Sequence, residues 1–173
     1  IFTDGDCVPP ARFVERHLEA HARSTFAVAG AVRLSPELSA RVTPEVVDAG
    51  AFEGWIGPED RRDLAVRARK SRWGTRLRLR NRPKVLGLNM AFDRALLEAV
   101  NGFDEVYEAW GIGEDDDLRE RVMRLRPRPQ VRVLYGLNDV FHLWHPVRST
   151  AQASPFRAYY RSARPVRSRW FTG

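Results

Sequence analysis

Cysteine occurs once in the 173 residues, at Cys7. A disulfide within the chain is therefore excluded, and a cysteine-built zinc site lacks its thiolates. Lysine is nearly missing too, at Lys70 and Lys84 alone, so a net charge of +7 rests on arginine. No apolar run approaches the roughly 18 residues a membrane-crossing helix needs, and no signal-peptide pattern is visible. What is present is an ordinary globular balance, 43% hydrophobic and 29% charged, which suits one domain over 1–173 with a sizeable core. The arginine excess favours anionic partners: nucleotide phosphates, nucleic acid or anionic lipid headgroups. It does not choose among them.

The stretch that stands out is Trp110-Gly111-Ile112-Gly113-Glu114-Asp115-Asp116-Asp117, running on into Leu118-Arg119-Glu120-Arg121-Val122. It reads as a glycine-rich turn followed by a helix that opens with four carboxylates. Acids in a first helical turn meet unpaired N–H groups and the positive end of the helix dipole. Two would satisfy that need. Four adjacent acids repel one another and are better tolerated where cations, a metal or a substrate lie nearby.

Along the chain, Ile1-Phe2-Thr3 reads as the end of a buried strand, and the expectation is the C-terminal part of a longer domain. Asp4-Gly5-Asp6 follows. It is either a polar turn or a pair of carboxylates able to converge on Mg²⁺ or Mn²⁺. Pro10 to Arg23 reads as an amphipathic helix with Phe13, Val14 and Leu18 as its apolar stripe, and His17 and His21 as solvent-edge histidines. Thr25 to Leu34 reads as one strand, with Gly30 a point of close backbone approach. Thr43 and Pro44 are a helix start. Glu59 to Arg69 reads as a helix, and the rest of the arginine-rich 58–83 segment as a mobile basic loop, either a solvated charge run or one that presents Trp55 and Trp73 to a ligand. Asp93 can cap a helix over Arg94 to Val100, stopped by Asn101-Gly102. Val131 to Tyr135 and Val140 to Pro146 read as strands, the second carrying His142 and His145. Residues 147–173 form a basic, aromatic-studded tail that suits docking or disorder.

Three blocks in this order resemble glycosyltransferases of the GT-A, nucleotide-diphospho-sugar transferase fold. Asp4-Gly5-Asp6 is similar to the family's Asp-x-Asp motif. Gly87-Leu88-Asn89-Met90-Ala91-Phe92, Asn101-Gly102-Phe103-Asp104-Glu105 and Trp110 to Leu118 together resemble the C-terminal block of β-1,4-galactosyltransferases and bacterial family 2 glycosyltransferases. Phe141 to Pro146 is similar to the late histidine segment that completes the metal site. Ile112 is an insertion relative to the usual Trp-Gly-Gly-Glu-Asp run. The resemblance implies a three-layer α/β fold with a mixed central sheet whose N-terminal strands lie outside this sequence.

The resemblance also implies a chemistry. A nucleotide-diphosphate donor, UDP-sugar foremost, leaves with negative charge that Mn²⁺ or Mg²⁺ can neutralise. Asp6, His145 and His142 are the implied metal ligands. Asp4, Gly87, Asn89 and Met90 are the implied donor contacts. Asp115 is the implied general base, with Glu114 beside it, and Trp110, Gly111 and Asp116 are the implied acceptor contacts. Asp117, with Asp116, also serves the helix start. A base on the acceptor side implies inversion at the anomeric carbon.

Three other readings compete. A retaining transferase of the same fold would need no base at Asp115. A non-enzymatic basic domain would bind nucleic acid or another polyanion through its arginines, but it leaves the acids without a role. A degenerate transferase would bind without turnover. The transferase reading expects a glycan, lipid-linked or peptide acceptor, no nucleic acid, and a cytoplasmic location that includes peripheral contact with an anionic membrane face.

Overall fold

The computed structural model describes residues 1–79, 82–107, 113–146 and 165–167. Six short strands and six α-helices are described. The strands are β1 (Cys7–Val8), β2 (Phe26–Val28), β3 (Ala31–Arg33), β4 (Met90–Phe92), β5 (Val131–Val133) and β6 (Val140–His142). The helices are α1 (Phe13–His21), α2 (Pro36–Ser39), α3 (Pro44–Asp48), α4 (Pro58–Arg76), α5 (Arg94–Val100) and α6 (Glu114–Met123).

The class is mixed α/β, but the strands form two small sheets rather than one central sheet. One has the order β1-β6-β3 and the other β4-β2-β5. Both are mixed: β6 runs antiparallel to β1 and parallel to β3, while β2 runs antiparallel to β4 and parallel to β5. The single strand expected over Thr25 to Leu34 is thus two strands, one in each sheet.

The break falls at Gly30, and its cause is a polar cluster that local sequence does not announce. The Gly30 N–H donates to Asp139 Oδ1 at 2.8 Å. A Cβ at this position would lie 2.4 Å from that oxygen and 2.7 Å from Tyr135 Cδ1, so only glycine fits. The Asn89 amide donates to the carbonyls of Gly30 (2.9 Å) and Asn138 (2.7 Å). Those two bonds fix the amide's orientation, leaving its Oδ1 to face His17 Nε2 at 3.0 Å. His17 Nε2 must then carry the proton, and Nδ1 is left buried without a hydrogen-bond partner. Burial lowers the His17 pKa accordingly.

These contacts correct the reading of α1. His17 is 1% exposed, whereas Val14 and Leu18 are 56% and 64% exposed. The inward face is Phe13, His17 and Ala20, because α1 packs over the polar junction as well as over apolar side chains.

The apolar core lies between the strands and α4, α5 and α6. Phe26 stacks on Phe92 at 4.3 Å, and Phe52 meets Phe141 edge-on at 4.8 Å. Local signals hold where local physics decides. Thr43 caps α3 through the Val46 N–H, with Pro44 in its first turn. Asn101 ends α5 in the left-handed conformation. Asp93 stands before α5 but makes no side-chain cap bond.

The helix α4 extends through residues 70–76, which were expected to be a loop. Its buried face is Leu64, Ala68, Ser71 and Gly74. Small residues at helical spacing bury a face without looking hydrophobic in sequence. Trp73 projects outward from it, while Trp55 packs partly buried against the core with Arg41 over its ring. The tail, apart from 165–167, lies outside the described residues.

Candidate active site

The Asp4-Gly5-Asp6 turn bridges the two sheets. On one side Phe2 pairs antiparallel with Met90, its N–H reaching the Met90 carbonyl at 2.8 Å. On the other side β1 pairs with β6, placing Cys7 opposite His142. The Leu143 N–H then donates to the Asp6 carbonyl at 2.8 Å. Backbone pairing therefore brings the early aspartate to the late histidines across most of the chain length. Alternation along β6 sends Phe141 into the core and His142 toward the opposite face.

Asp6, His142 and His145 converge so that one ligating atom from each lies within 4.8 Å of the others. Asp6 Oδ1 is 3.7 Å from His142 Nε2, and Asp6 Oδ2 is 3.5 Å from His145 Nε2. All three are part-exposed. His145 Nδ1 lies 3.0 Å from the Pro146 carbonyl, which can only accept, so Nδ1 carries the proton and Nε2 presents its lone pair. One carboxylate and two imidazoles, with a second-sphere bond fixing one tautomer, are a donor set that fits a divalent transition cation. Cys7 is not set up as a free thiolate nucleophile. Burial, then the charges of Asp6 and Asp4, pushes its thiol up to about 12, so it stays protonated.

Asp4 is the next acid along. Burial raises its pKa first, then the Asp6 charge; His142 opposes this and Asp115 adds to it. Asp4 thus feels the charges of Asp6, His142 and Asp115. At the start of α6, Asp115 is held from two sides. Its Oδ2 accepts the Gly87 N–H at 3.0 Å and its Oδ1 accepts the Asp116 N–H at 2.6 Å. Burial and then the neighbouring Asp116 raise its pKa, despite those bonds and Lys84. A raised carboxylate is a stronger base than an exposed one.

The other acids of the cluster have separate duties. Glu114 accepts the Gly113 N–H at 3.0 Å. Asp116 faces Lys84 Nζ at 3.1 Å and Arg119 at 3.4 Å. Asp117 is fully buried and pairs with Arg121 at 2.8 Å. Arg121 also donates to the Val100 carbonyl at 2.8 Å, tying α6 to the end of α5. Asp117 stands in the first turn of α6, as expected, and its ion pair with Arg121 also serves packing. The repulsion expected of four acids is relieved by Lys84, Arg119 and Arg121.

Two expected donor contacts are corrected. The side chains of Asn89 and Met90 are 0% exposed. Asn89 spends its hydrogen bonds on His17, Gly30 and Asn138, and Met90 sits in the core, so neither side chain can meet a ligand. Gly87 is partly exposed and its N–H is used by Asp115. Trp110 and Gly111 lie outside the described residues. Asp139 was not singled out from sequence; as a lone acid beside Asn138 it carried no signal there.

Residues 73–145 match the family model described as the N-terminal domain of galactosyltransferase. This part of the chain is galactosyltransferase-like. The matched stretch holds Gly87, the α6 acids, His142 and His145; Asp4 and Asp6 precede it. No curated protein and no solved structure matches the chain. The galactosyltransferase-like stretch supports glycosyltransferase activity.

Proposed function

We propose that the protein is a metal-dependent, inverting glycosyltransferase that moves a sugar from a nucleotide-diphosphate donor, foremost a UDP-sugar, to an acceptor hydroxyl. The observation that carries this reading is the meeting of Asp6 with His142 and His145, one electrostatic step from a buried, doubly held Asp115. The galactosyltransferase-like stretch supports it.

Asp6, His142 and His145 would hold Mn²⁺ or Mg²⁺, whose charge stabilises the departing diphosphate. Asp4 faces the donor from the same turn. Asp115 takes the acceptor hydroxyl's proton as the oxygen's electron pair forms the bond to the anomeric carbon. The bond from that carbon to the diphosphate oxygen breaks, and its electron pair leaves with the nucleotide. The Gly87 and Asp116 N–H groups keep the carboxylate aimed while each oxygen retains a free lone pair. Displacement from the face opposite the leaving group inverts the configuration. Glu114 lies on the acceptor side of this scheme.

The test is calorimetric binding of UDP with and without Mn²⁺, with Asp6→Asn as control. Binding that requires Mn²⁺ and disappears in the variant is expected. Metal-independent binding, or none to any nucleotide, would overturn the mechanism.

A further inference from the structure

We propose that a cationic pocket beside Asp115 receives an anionic group of the acceptor: a phosphate, a sulfate or a uronic carboxylate. Which substrate carries that group rests on the glycosyltransferase reading; the capacity to bind an anion does not.

The pocket holds roughly 200 Å³ between α4 and the 82–86 segment, with Tyr135 in its wall. Arg67, Lys70, Arg82 and Lys84 line it, and no acid does among the described residues. Two of these cations have partners outside the pocket. Arg67 meets Asp63 at 2.7 Å, and Lys84 meets Asp116 at 3.1 Å. Lys70 and Arg82 make no ion pair among the described residues, so their charge is left for a ligand. Ser71 supplies the independent sign of a missing partner. It is 2% exposed, lines the same pocket, and its Oγ has no hydrogen-bond partner. A buried hydroxyl without a partner is uncommon in folded proteins and suits a ligand oxygen.

The wall is built for this arrangement. Arg67, Lys70, Ser71 and Gly74 share one face of α4 by their three- and four-residue spacing. A Cβ at Gly74 would lie 2.6 Å from Arg82 Cγ, so the glycine makes room for the Arg82 stem against the helix. The Tyr135 hydroxyl donates to the Lys84 carbonyl at 3.1 Å and pins the facing segment. That segment continues through Leu86, which lines the pocket, to Gly87, which holds Asp115. Lys84, also in the pocket wall, reaches Asp116, the residue after Asp115, at 3.1 Å. The Leu86–Gly87 and Lys84–Asp116 links therefore set the pocket beside Asp115. With the donor diphosphate at the Asp6 end, an anion in the pocket belongs to the molecule whose hydroxyl meets Asp115.

The test titrates the full-length chain at low salt with sulfate, glucuronate and glucose, and separately with UDP plus Mn²⁺. Variants are Lys70→Gln/Arg82→Gln and the charge-keeping Lys70→Arg/Arg82→Lys, each checked for an unchanged melting temperature. Sulfate and glucuronate should bind and glucose should not. The glutamine pair should weaken anion binding at least about tenfold, with the charge-keeping pair within about threefold of wild type. UDP–Mn²⁺ binding should be unchanged in both. Absence of sulfate binding, or binding indifferent to the glutamine pair, overturns the pocket. Equal loss of UDP binding in the glutamine pair assigns the anion to the donor and overturns the acceptor role. Sulfate binding without any nucleotide binding leaves the pocket standing, and the transferase reading and the acceptor assignment fall together.

Discussion

Two polar clusters lie at the junction of the sheets, and they differ in what their atoms are left to do. One contains His17, Asn89, Asn138 and Asp139; the other contains Asp6, His142 and His145. Each combines imidazole with a carboxylate or amide. The first is buried and spends most of its groups on its own chain: Asn89 makes three hydrogen bonds and Asp139 accepts from Gly30 and Gly136, while His17 Nδ1 and Asn138 Oδ1 stay buried without a hydrogen-bond partner. The second is part-exposed, and its ring nitrogens stand 3.5 and 3.7 Å from a carboxylate, beyond a normal hydrogen bond. Residue type does not separate the two clusters. Access does: the unpaired atoms of the first are buried, whereas the ring nitrogens and carboxylate of the second are part-exposed and converge.

The sharpest test of that contrast is Asp115→Asn, which removes a base and keeps an acceptor for only one of the two backbone N–H groups. It should lower kcat by about 10²–10⁴-fold while costing about 1–2 kcal/mol of stability for the lost hydrogen bond. An equal loss of stability and rate would move Asp115 to the structural side.

The buried cluster should respond in the opposite sense. Asn89→Leu strips partners from the His17 ring and from two carbonyls, and should cost about 3 kcal/mol of unfolding free energy. Gly30→Ala pushes a methyl group against Asp139 and should cost about 1–3 kcal/mol. Both are read by urea denaturation. His145→Ala should leave the urea midpoint nearly unchanged while removing Mn²⁺-dependent nucleotide binding. If His145→Ala destabilised the fold as much as Asn89→Leu, the distinction between the clusters would fail.

pH separates them further. Burial raises Asp139 to about 6 in the folded chain from 3.8, against the bonds from Gly136 and Gly30. The folded state therefore holds this proton more tightly than the unfolded state. Its stabilising contribution is complete below about pH 4 and is lost as pH rises through about 6, on the order of 3 kcal/mol in all. His17 acts with the opposite sign. Its lowered pKa contributes stability above 6.5 that is lost as pH falls through the folded value. The difference between wild type and Asp139→Asn in urea midpoint, followed from pH 4 to 7, isolates the Asp139 part. A difference that does not change with pH would show that Asp139 titrates normally.

Much of the candidate site was legible because its signals are local runs in a fixed order. The Asp-Gly-Asp turn, the acid-opened α6 and the spacing of His142 and His145 each put reactive side chains in a few adjacent residues, and the fold brings Asp6, His142 and His145 together. The Thr43-Pro44 start and the Asn101-Gly102 stop were legible for the same reason: capping is local. What stayed hidden depends on partners distant in sequence. Asn89 sits inside the family-like run yet faces inward, because Gly30 and Asn138 complete its hydrogen bonds. His17 is buried because Asn89, 72 positions away, accepts from it. The break at Gly30 is imposed by Asp139, 109 positions on. The extension of α4 was missed because Ser71 and Gly74 bury a face without being apolar; Ser71 lines the cationic pocket and Gly74 makes room for the Arg82 stem in its wall.

The smallest expected effect sets Gly87 against Gly30. A Cβ at Gly30 has no room, whereas one at Gly87 would meet Asp115 Cβ and Oδ2 at 3.7 Å, an ordinary contact. The fold therefore gives no reason for glycine at 87, and Gly87→Ala should shift stability by less than about 0.5 kcal/mol. If the backbone here is approached by the donor, the added methyl group occupies space that only the bound complex needs. The donor KM should then rise several-fold while kcat and the melting temperature hold. An unchanged KM would remove Gly87 from the donor side and leave it solely as the N–H that aims Asp115.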